Sequence, residues 1–265
     1  MKNILLLGYG AMGRDVHAQL RDDQGVRIAC ILEQASRCAE LQQELGSDCQ
    51  VVWTLDALSA RPDFALECAG HAAARTHVPA LLRGGIDAIM ASVGALAAPG
   101  FPALLAQACE EGGAQLILVP GALAGIDALS AARHYGLDEV QYVGRKPPAG
   151  WIGTLAEELC DLRRLQAPAV FFDGTARDAA LQYPQNANVA AMIGLAGLGL
   201  DGTRVQLIAD PGVTRNTHTF VARGAFGQME VKVEGNTLAA NPKTSALAAM
   251  SIVRQVRNQV AALVF

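Results

Sequence analysis

The hydrophobic rhythm of the chain changes near residue 120. Before that point, short apolar runs at 4–7, 26–32, 51–53, 64–70, 87–96 and 115–123 alternate with stretches of helical spacing. Two of those stretches, 73–85 and 101–113, stop at glycine pairs. An apolar run without polar alternation predicts a strand buried on both faces, and strand–helix alternation with short connections predicts a parallel, doubly wound sheet. Beyond residue 121, the runs 139–148, 169–176, 205–212, 217–224 and 228–235 combine strand propensity with glycine or proline at the turns. They predict a second α+β domain built on a mostly antiparallel sheet, the last three runs forming a meander. A helix is expected over 185–199. Another is expected over 241–265, opening on Asn241-Pro242 and returning its apolar face to the first domain.

The turn after the first run reads Gly8-Tyr9-Gly10-Ala11-Met12-Gly13 and opens a helical pattern. A G-x-G-x-x-G in that context predicts a Rossmann-type dinucleotide site. Gly8 permits the tight turn, Gly10 admits a pyrophosphate to the backbone, and Gly13 lets helix and strand pack closely. Ala11 and Met12 then form the first helical turn, whose free N–H groups attract phosphate. Glu33 ends the second run about 20 residues beyond Gly13, where a carboxylate accepts bonds from the ribose hydroxyls of NAD. Arg37, one helical turn on, can instead meet the 2′-phosphate of NADP, so both cofactors stay open. The domains are thus expected to be a dinucleotide-binding one (1–120 with 241–265) and a substrate one (121–240). His71 and His77 fall beside the expected cofactor path, as catalytic groups, as cofactor contacts or as loop structure.

Composition narrows the partners. Among 265 residues, 51% are hydrophobic and 17% charged, with a formal net charge of −4, and no basic run is interleaved with aromatics. Nucleic acid and anionic membrane surfaces are therefore not expected as partners. The apolar start is too short for a secretory leader and 189–200 is too short to span a bilayer, which predicts a cytoplasmic protein. Six cysteines show neither CxxC nor metal spacing and read as thiols, with no metal site. Cys68 lacks a nearby base, and no G-x-S-x-G elbow supports a serine hydrolase.

His218 lies in "DPGVTRNTHTF" (210–220), among small polar residues ahead of a strand. An imidazole of ordinary pKa near 6.5 exchanges protons near neutrality, whereas the alternative is a histidine that packs an edge strand. Together with "GYGAMG", the segments "GALAGIDAL" (121–129), "YPQNANVAA" (183–191) and "DPGVTRNTHTF" resemble the L-aspartate dehydrogenase family over the whole chain. The resemblance implies NAD(P)-dependent oxidation of L-aspartate to iminoaspartate, yielding oxaloacetate and ammonia, and in some organisms de novo NAD synthesis. It implies cofactor contacts at Ala122 and Asn188 and a catalytic histidine at His218. Asn186 and Asn188 also suit a helix cap. Lys146, Arg145, Arg215 and Lys243 are candidate partners for the substrate carboxylates, each weighed against a solvated surface position. A homodimer is expected from the apolar second sheet. Rival readings are a reductase of the same layout acting on another amino-acid or dicarboxylic substrate, and a non-catalytic NAD(H)-sensing protein.

Overall fold

The structure, a computed structural model, describes residues 1–184, 188–238 and 241–264, and the side chains of all of these except 241–244. The chain divides into two compact units. The first comprises Met1–Ala95, Pro99–Val119 and Ala249–Phe265; the second comprises Leu96–Ala98 and Pro120–Ala248.

In the first unit, β1 (Lys2–Leu7), α1 (Ala11–Leu20), β2 (Val26–Leu32), α2 (Ala35–Leu45), β3 (Gln50–Val52) and β4 (Phe64–Glu67) follow one another. Then come α3 (His71–Arg83), β5 (Asp87–Met90), α4 (Phe101–Gly112) and β6 (Leu116–Leu118). The strands form one parallel sheet in the order β3-β2-β1-β4-β5-β6. This is the doubly wound sheet that the uniformly apolar runs predict. Leu5, Leu7, Cys30, Leu32, Val52 and Ala65 share one core cluster with Leu81 and Ile86. Leu7 pairs with Leu32 on one side and Glu67 on the other, so Gly8, Glu33 and Cys68 emerge at one level. Ligands gather at such carboxyl ends. The run 87–96 is strand only as far as Met90, and Val93–Ala97 forms a 3₁₀ turn. Ser92 is drawn off the ladder by Glu67, as described below.

The second unit holds α5 (Ile126–Arg133), β7 (Leu137–Lys146), a short α6 (Ala156–Leu159), β8 (Ala169–Thr175), α7 (Ala176–Gln182) and α8 (Asn188–Ala196). These are followed by β9 (Arg204–Ala209), β10 (Asn216–Gly224), β11 (Gly227–Gly235), β12 (Thr237–Leu238) and β13 (Asn241–Ser245). The five longer strands pair in the order β11-β10-β7-β9-β8, all antiparallel except β7 with β9. The expected meander is therefore confined to the β10–β11 hairpin, closed where Gly224 faces Gly227. β9 lies on the far side of β7, because propensity marks a strand but does not choose its neighbour.

The final helix, α9, covers Ala246–Asn258 and buries Ala249, Ile252, Val253 and Val256 at helical spacing. It starts later than Asn241. Pro242 biases the residue before it toward extended backbone, and 241–245 pairs instead with β12. The Ala246 N–H donates to the Asn236 carbonyl at 3.0 Å where the helix begins.

Candidate active site

The glycine turn is built as its spacing requires. Gly8 has φ +85°, and a Cβ there would lie 2.6 Å from the Ala69 Cα; at Gly13 a Cβ would lie 2.3 Å from the Gly8 carbonyl oxygen. A Cβ at Gly10 would meet nothing within 4 Å, so the space beside the turn is open. Gly10 also begins α1 with no side-chain cap and no acidic residue in the first turn. The N-terminal N–H groups at Ala11, Met12 and Gly13 thus face no competing carboxylate, which fits a pyrophosphate. A cleft of about 310 Å³ opens here, lined by Gly8, Gly10, Glu33, Arg37, Trp53 and His77 among others. Glu33 accepts the Tyr9 N–H at 2.9 Å and the Gln34 N–H at 3.0 Å, and Arg37 Nη1 donates to it at 2.9 Å. The two side chains that sequence analysis set as alternatives are therefore one ion pair. Burial pushes the His77 pKa down, and His71 opens α3.

One group in this unit escaped sequence analysis. Glu67, at the end of β4, is 1% exposed. It accepts the N–H groups of Ala69 (2.8 Å), Gly70 (2.9 Å) and Ser92 (2.9 Å) and the Ser92 hydroxyl (2.8 Å). Burial raises its pKa, while the four donors pull it back. Glu67 ties the loop after β4, the strand beside β1, to the loop after β5. A carboxylate inside an otherwise apolar run was the available signal.

In the second unit two of the candidate side chains, His218 and Lys146, share one sheet face. β7 buries Val140, Tyr142, Gly144 and Lys146 in alternation, and β10 places His218 opposite Gly144 and Phe220 opposite Tyr142. Gly144 leaves room: a Cβ there would sit 2.6 Å from the Tyr142 hydroxyl. That hydroxyl reaches His218 Nδ1 at 2.8 Å, and the two rings stack with centroids 6.1 Å apart. His218 is 4% exposed, and burial, with Lys146 adding to it, pushes its pKa down to about 3. The expectation that this imidazole titrates near neutrality is corrected: desolvation keeps it neutral.

The candidate cations separate. Lys146 is 6% exposed rather than solvated; burial pushes its pKa down to about 8, and Nζ lies 4.8 Å over the Trp151 ring. Arg145, on the opposite face, forms an ion pair with Asp210, whose carboxyl is held below its ordinary range by Arg145 and by the Gly212 N–H against the opposing pull of burial. Arg215 is exposed and lines a cleft of about 370 Å³ with Pro147, Gly150, Thr214 and Asn216. Asn186 and the Lys243 side chain lie outside the described residues. Asn188 opens α8, and Ala122 is buried just beyond β6, both in this unit. All six cysteines are free thiols, three of them buried; burial raises Cys68 well above the thiol range, which removes it as a nucleophile. Among the described residues there is no cluster of metal-binding side chains, and no helix is long and apolar enough to cross a membrane.

Comparison with known proteins gives two family matches, the C-terminal one running on through α9. Residues 127–259 match the family model "Aspartate dehydrogenase, C-terminal", and residues 8–119 match "Homoserine dehydrogenase, NAD binding domain". The chain is 47% identical to an L-aspartate dehydrogenase of Pseudomonas aeruginosa over 99% of both chains. It is 48% identical to an L-aspartate dehydrogenase of Polaromonas sp. over 100% of both. A solved aspartate dehydrogenase from Thermotoga maritima shares the fold with a TM-score of 0.80 at 23% identity, covering 100% of this chain and 99% of that one.

Proposed function

The chain belongs to the L-aspartate dehydrogenase family, and from that premise we infer that it is an NAD(P)-dependent oxidoreductase that converts L-aspartate to iminoaspartate. Water then releases oxaloacetate and ammonia. When bound, the nicotinamide supplies the hydride acceptor. Gly8, Gly10, Ala11, Met12, Gly13 and Glu33 are proposed to hold the pyrophosphate and ribose, and Ala122 and Asn188 are proposed as further cofactor contacts. His218 is proposed as the catalytic histidine and Arg215 as a carboxylate partner. The observation that carries this assignment is the His218–Tyr142 pair, an imidazole locked at Nδ1 on a buried polar face. A histidine on an exposed edge strand would be satisfied by water, whereas β10 lies between β7 and β11 and this imidazole is oriented by a buried phenol.

Substrate choice tests the reading. L-Aspartate should exceed L-glutamate and L-alanine by roughly 10²-fold or more in kcat/KM, since one added methylene displaces a carboxylate and its absence leaves polar partners unpaired. NADH formation followed by absorbance measures this, and equal rates for the three amino acids would refute the assignment.

Cofactor choice is proposed to lie in the Glu33–Arg37 pair. Glu33→Ala should weaken NADH binding roughly tenfold, the size of a lost charged hydrogen bond, while freeing Arg37 for a 2′-phosphate. Fluorescence titration with NADH and NADPH reads both effects; unchanged constants for the two would remove Glu33 from the site.

The protein is further proposed to act in the cytoplasm, to supply iminoaspartate for pyridine nucleotide synthesis, and to form a homodimer. Exposed Leu159, Val170 and Leu181 in the second unit support self-association, which light scattering would measure.

A further inference from the structure

We propose that Lys146 is a second catalytic residue, whose amine takes the proton lost by the substrate's α-ammonium while His218 acts as a fixed hydrogen-bond donor. The proposal rests on the reading of the His218 face as the place where aspartate is oxidised.

Lys146 and His218 lie on the same face of adjacent strands, with Gly144 directly opposite His218. The lysine stem runs beneath Gly150, where a Cβ would come 3.3 Å from its Cβ and 3.4 Å from its Cδ. Gly150 and Asn216 also line the 370 Å³ cleft that carries the exposed Arg215. Gly150 is thus shared between the cleft wall and the packing over the lysine stem, and that cleft, with Arg215 on its wall, is proposed as the substrate space.

The chemistry then divides between the two groups. Oxidising an amine at Cα requires a nitrogen lone pair, so the ammonium must first be deprotonated. Burial keeps Tyr142 a neutral phenol by raising its pKa, and its hydroxyl shares a hydrogen bond with His218 Nδ1. In the proposed tautomer the phenol donates to Nδ1, so that the imidazole carries its own hydrogen at Nε2 and is a donor there. It has no capacity for a further proton at neutral pH, because burial holds its pKa near 3. Lys146, held to about 8, releases and accepts protons close to the working pH.

In the step itself, one N–H bond of the substrate breaks and an Nζ–H bond forms. The freed lone pair closes the C=N bond as Cα gives up its hydride to the oxidised cofactor, and Lys146 later returns its proton to solvent. Among the described residues, the groups on the Lys146 side include His218 from β10, Tyr142 on its own strand and the Trp151 ring. The Arg145–Asp210 pair occupies the opposite face. Of these, His218 is the group whose charge would compete, and it is neutral.

Competitive amine labelling of the intact protein across pH, read by mass spectrometry, needs no variant and should give Lys146 a midpoint near 8. Lys146→Arg should lower kcat by at least about 10²-fold and remove the ionisation near pH 8 from the kcat/KM profile. It should leave NADH binding and binding of succinate, a dicarboxylate without the amine, within a few-fold. Lys146→Ala should regain activity with added methylamine, in proportion to the free base. A labelling midpoint near 10 overturns the proposal. So does an arginine variant with unchanged kcat and a raised KM, the mark of a carboxylate anchor. Wild-type protein that binds NADH but does not oxidise L-aspartate would refute the underlying activity itself, a result distinct from loss of Lys146 alone.

Discussion

Replacing His218 with alanine is expected to lower kcat/KM for L-aspartate by about 10² to 10⁴-fold, the range for a positioned donor or proton-handling group. NADH binding should stay within about twofold, because His218 is not among the residues proposed to hold the cofactor. The wild-type pH–rate profile should show no ionisation near 6.5, since burial and Lys146 hold the imidazole to about 3. Stability has a matching sign. Between about pH 6.5 and 3 the unfolded imidazole binds a proton that the folded one refuses, so His218 lowers wild-type stability as pH falls through that window. The alanine variant should melt with a shallower acid dependence. An alanine variant with full activity and only a lowered melting temperature would return His218 to a packing role.

Glu67→Ala is expected to be the most damaging change in the first unit. It strands three backbone N–H groups and the Ser92 hydroxyl in a buried site. Each unsatisfied donor costs about 1–3 kcal/mol, and admitted water offsets part of the loss, leaving a net destabilisation of roughly 3 kcal/mol or more. For a chain of this size that corresponds to a drop in melting temperature of about 6–12 °C. NADH affinity should fall as well, because Glu67 holds Ala69 against Gly8, where no Cβ fits. Calorimetry with and without NADH separates the two effects. A melting temperature within about 2 °C of wild type would show that water replaces the carboxylate without loss.

What could be seen in the sequence was local. Gly8, Gly10 and Gly13 with Glu33 announced their turn and their sheet because the relevant contacts lie within one βαβ unit. Arg37 was seen as a rival of Glu33, but not as its partner. Lys146 was one cation among four, because whether a lysine is buried depends on which strand covers it. Its even spacing with Val140, Tyr142 and Gly144 was the signal available. The pairing of β7 with β10 brings residues 76 positions apart into contact, and no local pattern encodes it. The same limit explains the misread His218 titration: an imidazole flanked by threonines looks solvated until a second strand desolvates it. The meander failed for this reason too, since β9 chose the far side of β7.

The division of the chain has a consequence for its synthesis. The first unit takes residues from both ends, and α9 contributes Ile252, Val253 and Val256 to it only after all of 120–248 has been translated. All of the second unit is therefore synthesised before the first unit receives that helix. A nascent chain folds at the pace of its last-made contacts, and parallel sheets with distant partners are slow and exposed to aggregation until those contacts form. The glycine turn is made before every residue of the second unit and α9 after nearly all of them, so the unit that holds the glycine turn is completed only after the second unit has been synthesised.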